Sequence, residues 1–369
     1  MQQTFERELN WAQSQMPLSK KALSSITSLN GVRLACSMHL DLKMIIAVEG
    51  FLRKGARIFL TTCNPQTVRD EVVTYLKNQG AEACAWQGMK NSDLNHGIEK
   101  ALEWEPTHLC EMGADLTVAY HKKQGRAAPV RAALEATGSG IEKIKALNLR
   151  YPIYNWDDIP LKECLHNRYM VGLMAWHAFL ARTKLTLHGK RVIVVGFGLV
   201  GKGVAEVARN YGGAVVIAEK DPVRAIEARF AGWDVQALEQ AISVADVVVT
   251  ATGAVSVLNK KHFSMLKDGV FLVNVGHHSD EIDVAALLRN PSDEIIPHVK
   301  EISLESKKVY LFANGGMANL VAGDGDSLNA FDVTLALMIA GVFQITSQQS
   351  SSPGLYLLPQ SVWAPFFNS

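Results

Sequence analysis

Gly196-Phe197-Gly198-Leu199-Val200-Gly201 follows directly on the apolar run Val192–Val195 and opens a stretch with helical apolar spacing. A strand, a glycine turn and a helix start, in that order, suit the pyrophosphate of a dinucleotide. Gly196 permits the tight turn, Gly198 lets backbone approach the phosphates, and Gly201 lets the helix pack on the strand. The helix start at Leu199 and Val200 offers unpaired N–H groups and a partial positive charge. A second apolar run, Ala214–Ala218, ends at Glu219. Its carboxylate can accept both hydroxyls of an adenosine ribose and would repel a 2′-phosphate. The expected cofactor is therefore NAD rather than NADP, with Lys220 and Arg224 the cations nearby and Arg224 counted among the cofactor contacts. That cofactor brings hydride transfer with it.

The whole chain bounds what surrounds this turn. Its 369 residues are ample for two domains, and 48% of them are hydrophobic, enough for two cores. Lys+Arg 37 against Asp+Glu 36 leaves a net charge of +1 with no basic block, so nucleic acid and anionic membrane are not the expected partners. No apolar stretch is read as reaching the roughly 18 residues that span a bilayer. The N-terminal MQQTFERELNWAQSQM has the pattern of a polar amphipathic helix rather than a signal peptide. Cys36, Cys63, Cys84, Cys110 and Cys164 are scattered without CxxC spacing. Reduced thiols in a cytoplasmic protein, and no metal site, are the expectation.

Strand-like and helical patterns alternate from the start. Val32–Cys36, Arg57–Thr62, Ala83–Trp86 and His108–Glu111 alternate with helical patterns over about 42–54, 66–79 and 91–103. A long amphipathic segment, Leu161–Lys184, leads into the glycine turn, and strands follow at Val247–Thr250, Phe271–Val275 and Tyr310–Ala313. A helix over about 331–345 comes next, then a linker and aromatic tail. This is an α/β chain of two doubly wound parallel-sheet domains, both Rossmann-like. The expected division is 1–168, completed by 328–369, with the cofactor domain 169–327 inserted. Ligands of such sheets gather at strand C-termini, which points to His39, Cys63-Asn64 and the stretch 111–115.

Further segments match one family in order: MHLDLKMIIAVEGFLRKGARI, TTCNPQTVRDEV, GADLT, NWDDIPLKECLHN, AEKDPVRA, TATG, VNVGHHSDEID and ANGGMANL. With the glycine turn they make the chain resemble the S-adenosyl-L-homocysteine hydrolase family over roughly residues 5–345. The resemblance implies tightly held NAD that oxidises a ribose 3′-hydroxyl, elimination of the 5′-thiol, addition of water and return of the hydride. It also implies a place in one-carbon metabolism and a homodimer or homotetramer. Lys162, Asn167, His39 and His277 match positions that the family keeps for catalysis. His39 matches the place near the leaving group. Lys162 and His166 are four apart, on one helix face, although the hydrolases carry Asp where this chain has His166. Asn319 matches the residue that reads the carboxamide of NAD. Thr137 and Ser139 lie in the family's Thr run, and Thr252, Gly253, Val275 and Gly276 complete the implied cofactor contacts.

Other positions depart from the family. Met112 and Ala136 stand where the hydrolases have Asp and Glu, and Asp324-Gly325-Asp326 replaces a His-bearing loop. Lys43 takes the place that reads the adenine amino group, and Asp41 replaces a Thr. A lysine only donates, so Lys43 suits a carbonyl, carboxylate or phosphate instead. Asp41, Lys43, Thr67, Met112, Asp324 and Asp326 form the expected substrate set. The C-terminal SSPGLYLLPQSVWAPFFNS has no counterpart of the family's tail. The leading expectation is an NAD-dependent, adenosylhomocysteinase-like hydrolase of a nucleoside thioether or related molecule, with altered base specificity. A net NAD-dependent dehydrogenase of a nucleoside or polyol is the alternative, and a non-catalytic NAD-binding regulatory homologue a third.

Overall fold

The computed structural model describes residues 2–122, 130–276, 280–347 and 351–367. The chain divides into two units, Met1–Lys162 with Leu328–Ser369, and Glu163–Ser327. The sequence reading places that division after residue 168.

The first unit is built on β1 (Arg33–Met38), β2 (Arg57–Thr62), β3 (Glu82–Ala83), β4 (His108–Glu111), β5 (Ala132–Glu135) and β6 (Pro152–Asn155). They lie in the order β6-β5-β4-β1-β2-β3, and every pairing is parallel. A parallel sheet is covered on both faces, and its strands are correspondingly apolar. Leu34, Cys36 and Met38 of β1 face one core, while Ala35 faces the other with Phe59, Leu109 and Ala133. The expected strand Ala83–Trp86 shrinks to the two residues of β3 at the sheet edge. Strand order reverses between β1 and β4, so the loops after these two strands form the ligand-binding switch point.

The second unit carries β7 (Arg191–Val195), β8 (Ala214–Ala218), β9 (Asp234–Val235), β10 (Val247–Thr250), β11 (Val270–Asn274), β12 (Ser292–Ile296), β13 (Val299–Leu304) and β14 (Lys307–Phe312). Their order is β12-β13-β14-β11-β10-β7-β8-β9, with the switch point between β7 and β10. The wholly parallel sheet expected here gains an antiparallel edge, because β12 pairs with β13 and β13 with β14 in that sense. Every residue of β12 is exposed, so no alternation of apolar residues marks it in the sequence.

The chain then returns to the first unit through a helix, Leu328–Ser347. By length and composition this helix could cross a membrane, which corrects the expectation that no stretch is long enough. Its apolar faces are spent on protein: Leu335, Leu337, Met338, Ile339 and Val342 are buried, and Gly341 sits against Leu134 of β5 with no room for a Cβ. Its Asp332 carboxylate accepts from the backbone N–H groups of Leu18 and Ser19 and from the Ser19 hydroxyl. The residues expected to be a linker and tail instead form β15 (Gly354–Leu357), which extends the sheet in parallel beside β6. Trp363, Phe366 and Phe367 pack on the same core.

Candidate active site

The loops at the first unit's switch point hold several of the expected residues. His39 follows β1 directly, and its Nδ1 lies 2.7 Å from Thr67 Oγ1. The Thr67 hydroxyl spends its one proton on Asn64 O at 2.8 Å, so His39 Nδ1 is the donor in that pair. Cys63 Sγ stands 3.6 Å from His39 Nδ1. Burial, and then the charges of Asp115 and Glu135, push its thiol pKa up, which keeps it a neutral neighbour. Asp41 caps a short helical turn by accepting from Lys43 N at 3.0 Å. Its other oxygen pairs with Lys43 Nζ at 3.2 Å. Lys43 is only 7% exposed and lies 5.3 Å from the centre of the Phe331 ring. A desolvated donor and an adjacent acceptor are therefore fixed side by side.

Met112 lies past the end of β4, partly buried against the core. Glu111 and Glu135 lie opposite each other on β4 and β5; Glu111 opens the strand-end stretch 111–115 of the sequence reading, whereas Glu135 is outside the expected residues. Glu135 accepts from the backbone N–H groups of Gly113, Ala114 and Thr137 and from the Thr137 hydroxyl. Glu111 accepts from Leu116 N, Thr117 N and the Thr117 hydroxyl. Burial, with each other's charge, raises the Glu111 pKa to about 8, and burial raises that of Glu135 to about 7. Thr137 caps the helix Gly138–Lys145 through Gly140 N, and its hydroxyl lies 3.3 Å from Ser139 Oγ. Both belong to the first unit, unlike the other expected cofactor contacts.

Lys162 is 8% exposed and donates to Ala136 O at 2.6 Å and to the Asp157 carboxylate. Its Nζ stands 5.1 Å from the centre of the Trp156 ring. Ala136 thus contributes a carbonyl where its side chain contributes nothing, and Asp157 is a site residue that sequence reasoning missed. Its signal was the pair of acids in NWDD, five residues before the lysine.

In the second unit the three glycines behave as their spacing requires. Gly196 has φ +99°, and a Cβ there would lie 2.7 Å from Ala251 O. A Cβ on Gly201 would lie 2.0 Å from Gly196 O. A Cβ on Gly198 would meet no protein atom nearer than Arg224 Nη1 at 3.8 Å. The first and third glycines are thus demanded by the fold, and the middle one opens a cradle that a side chain would fill. Gly198 caps the helix Leu199–Asn210 without a side chain, so no side-chain cap takes up the first N–H groups of that helix, at Leu199 and Val200. Glu219 accepts from Phe197 N at 2.7 Å and Asp221 N at 2.9 Å, which ties the strand-end acid to the turn.

Beyond β10, Thr252 N, the Thr252 hydroxyl and Gly253 N all donate to Glu281, a fully buried acid absent from the expected site. Gly276 follows Val275 and donates to Asn274 Oδ1 at 2.9 Å. A Cβ on Gly276 would lie 1.5 Å from Glu281 Oε1. Asn319 is 1% exposed, and its Oδ1 has no hydrogen-bond partner among the described residues. A buried amide oxygen of this kind fits an external N–H donor such as a carboxamide. These features together fit NAD. His277 lies outside the described residues.

His166 and Asn167 sit on a π-helical segment, Glu163–Met170, in place of the regular helix implied by their spacing. Such segments are rare and frequent at functional sites. His166 Nδ1 is hydrogen-bonded to the buried Asp326 carboxylate, Asn167 is half-buried, and Asp324 is exposed. The structure therefore gives the two basic groups separate carboxylates, Asp157 for Lys162 and Asp326 for His166.

Comparison with known proteins follows the same two units. The family described as S-adenosyl-L-homocysteine hydrolase matches residues 2–155, and its NAD binding domain matches residues 176–325. The S-inosyl-L-homocysteine hydrolase of Methanopyrus kandleri is 32% identical, over 96% of this chain and 87% of its own. The adenosylhomocysteinase of Thermotoga maritima is 33% identical, over 97% of this chain and 92% of its own. Among solved structures, a dipicolinate synthase from Bacillus halodurans aligns with a TM-score of 0.51 at 12% identity, over 87% of this chain and 99% of that one, a likeness of fold alone. The chain belongs to the S-adenosyl-L-homocysteine hydrolase family and is a hydrolase that uses NAD.

Proposed function

We propose that the chain is a redox-neutral hydrolase of a nucleoside thioether whose base carries a carbonyl where adenine carries an amino group. The observation behind this reading is the Lys43–Asp41 pair, 3.2 Å apart, with the lysine buried in the helical turn Leu42–Met44 that follows β1. Lysine can only donate and an ionised aspartate can only accept. The edge of a 6-oxopurine offers the complement, an acceptor at O6 and a donor at N1. Adenine offers the reverse. S-inosyl-L-homocysteine, named in the Methanopyrus kandleri relative, has the matching edge.

When bound, NAD would supply acceptance of a hydride from a ribose carbinol and its later return. Gly196, Gly198, Leu199, Val200 and Gly201 would hold the pyrophosphate, Arg224 would add a cation, and Glu219 would hold the ribose. Thr252, Gly253, Val275 and Gly276 would shape the rest, and Asn319 would receive the carboxamide. Lys162, bonded to Asp157, exchanges the proton of the reacting hydroxyl. His39 serves the leaving sulfur, and His277 and Asn167 complete the set. A net dehydrogenase is the second reading, favoured by Met112 and Ala136 in place of two acids.

The test is thiol release from S-inosyl- and S-adenosyl-L-homocysteine by the purified protein. The inosyl thioether is expected to be preferred by roughly 10–100-fold in kcat/KM, the worth of one charge-assisted hydrogen bond at ~1.5–3 kcal/mol. Lys43→Gln should narrow or reverse that ratio. Equal or faster turnover of the adenosyl thioether by the wild type would sink the reading.

A further inference from the structure

We propose that His166 and Asp326 form an acid–base dyad in which His166 takes and returns the carbon-bound proton beside the transient ketone, with Asp326 as its positioning residue. This rests on the hydrolase reading above. That reading leaves Lys162 to the hydroxyl proton and His39 to the leaving sulfur, while Met112 and Ala136 supply no acid or base. The buried Glu111 and Glu135 are taken up by hydrogen bonds from Leu116, Thr117, Gly113, Ala114 and Thr137. A group is still needed for the C–H proton.

The geometry favours His166 for that task. Its Nδ1 is bonded to the Asp326 carboxylate, whose side chain is 2% exposed, while the imidazole is 23% exposed. A buried carboxylate on one ring nitrogen fixes the tautomer and leaves the other nitrogen to do chemistry. The carboxylate itself is held in place. Gly325 has φ +66°, and its N–H donates to Asn319 O at 2.9 Å. A Cβ on Gly323 would lie 2.9 Å from the same oxygen, so the loop carrying Asp326 is tied at Gly325 and closely packed at Gly323.

In the proposed step the neutral imidazole accepts the proton at Nε2 and becomes an imidazolium, balanced by the Asp326 carboxylate across Nδ1. The electron pair left on carbon moves toward the ketone and expels the sulfur. After water has added, the imidazolium returns the proton to carbon. The dyad ends as it began.

The experiment uses full-length protein whose NAD content is measured, with inosine in deuterated water. Three quantities are followed: absorbance of reduced cofactor, deuterium gained at the carbon beside the oxidised centre, and the imidazole nitrogen spectrum of His166 (assigned by its loss in His166→Gln). The wild type should show Nδ1 protonated and exchange the carbon proton. His166→Gln should keep NAD and cofactor reduction while exchange falls about 10²–10⁴-fold. Asp326→Asn should shift the tautomer and slow exchange with little change in KM. The reciprocal variant His166→Asp/Asp326→His should recover at least tenfold over either single change.

An Nε2-protonated His166 in the wild type would overturn the proposal without touching the hydrolase reading. So would unchanged exchange in His166→Gln, or a reciprocal variant no better than the single ones at full NAD content. A wild type that reduces no cofactor with inosine or adenosine would overturn the hydrolase reading and the dyad together.

Discussion

At Gly198 a side chain would collide with ligand and not with protein, because the nearest atom to a Cβ there is Arg224 Nη1 at 3.8 Å. Binding and stability should therefore separate at this residue. Gly198→Val is expected to abolish NAD binding in calorimetric titration while the unfolding midpoint stays near that of the wild type. Glu219→Ala should weaken NAD by ~1–3 kcal/mol through lost charge-assisted hydrogen bonds. Tighter binding of NADP than NAD by the wild type would remove Glu219 from its role. Both residues were legible in the sequence because the pyrophosphate turn imposes fixed spacing. Glu111 was legible only as part of a strand end, and Glu135, Glu281 and Asp157 were not, since each acts through contacts that only the folded chain brings together. Nothing local distinguishes Glu281 from an ordinary loop acid, yet it receives three hydrogen bonds from Thr252 and Gly253.

At the scale of elements, the parallel strands β1, β2, β4, β7, β8, β10 and β11 announced themselves as apolar runs, because both faces of such a sheet are buried. The strands that escaped were those with little apolar signal, such as the exposed β12 and the tail strand β15, or short ones such as β5 and β6. The π-helical turn at His166 also escaped, since its composition does not differ from that of an α-helix. Two predictions belong here. Gly276→Ala forces a Cβ to within 1.5 Å of Glu281 Oε1, so Glu281 must move and release the loop at Thr252 and Gly253. Loss of NAD affinity together with a lower unfolding midpoint is expected, and a variant with wild-type values for both would refute the account of that loop. The β4–β5 pair carries the second. Glu111 and Glu135, pushed by burial to about 8 and about 7, hold protons in the folded unit that the unfolded chain releases near the ordinary value of 4.5. Their contribution is complete below that value and is lost as pH rises through 7 to 8. Urea unfolding should show stability falling between about pH 5 and pH 8, with a shallower slope in Glu111→Gln. A flat profile for the wild type would contradict the raised values.

For the whole molecule, the redox-neutral and dehydrogenase readings differ in the fate of one hydride. A hydrolase that borrows a hydride must return it within the same turnover, so absorbance of reduced nicotinamide should rise only transiently, by at most one equivalent per chain. A net dehydrogenase accumulates that absorbance in proportion to substrate and needs free NAD. Removing hydride from a carbinol carbon is coupled to loss of the hydroxyl proton. Lys162, buried and bonded to Asp157 and Ala136 O, is the group assigned to that proton. Lys162→Met should therefore block the transient entirely. His39 is assigned to the sulfur that leaves afterwards, so His39→Ala should reduce its cofactor at the wild-type rate in a single turnover and then stall before thiol release. Stopped-flow absorbance with a nucleoside thioether, followed by a thiol assay on the same samples, resolves both steps. A normal transient in Lys162→Met would strip Lys162 of its role, and absorbance that keeps growing over many turnovers would give the chain to the dehydrogenase reading.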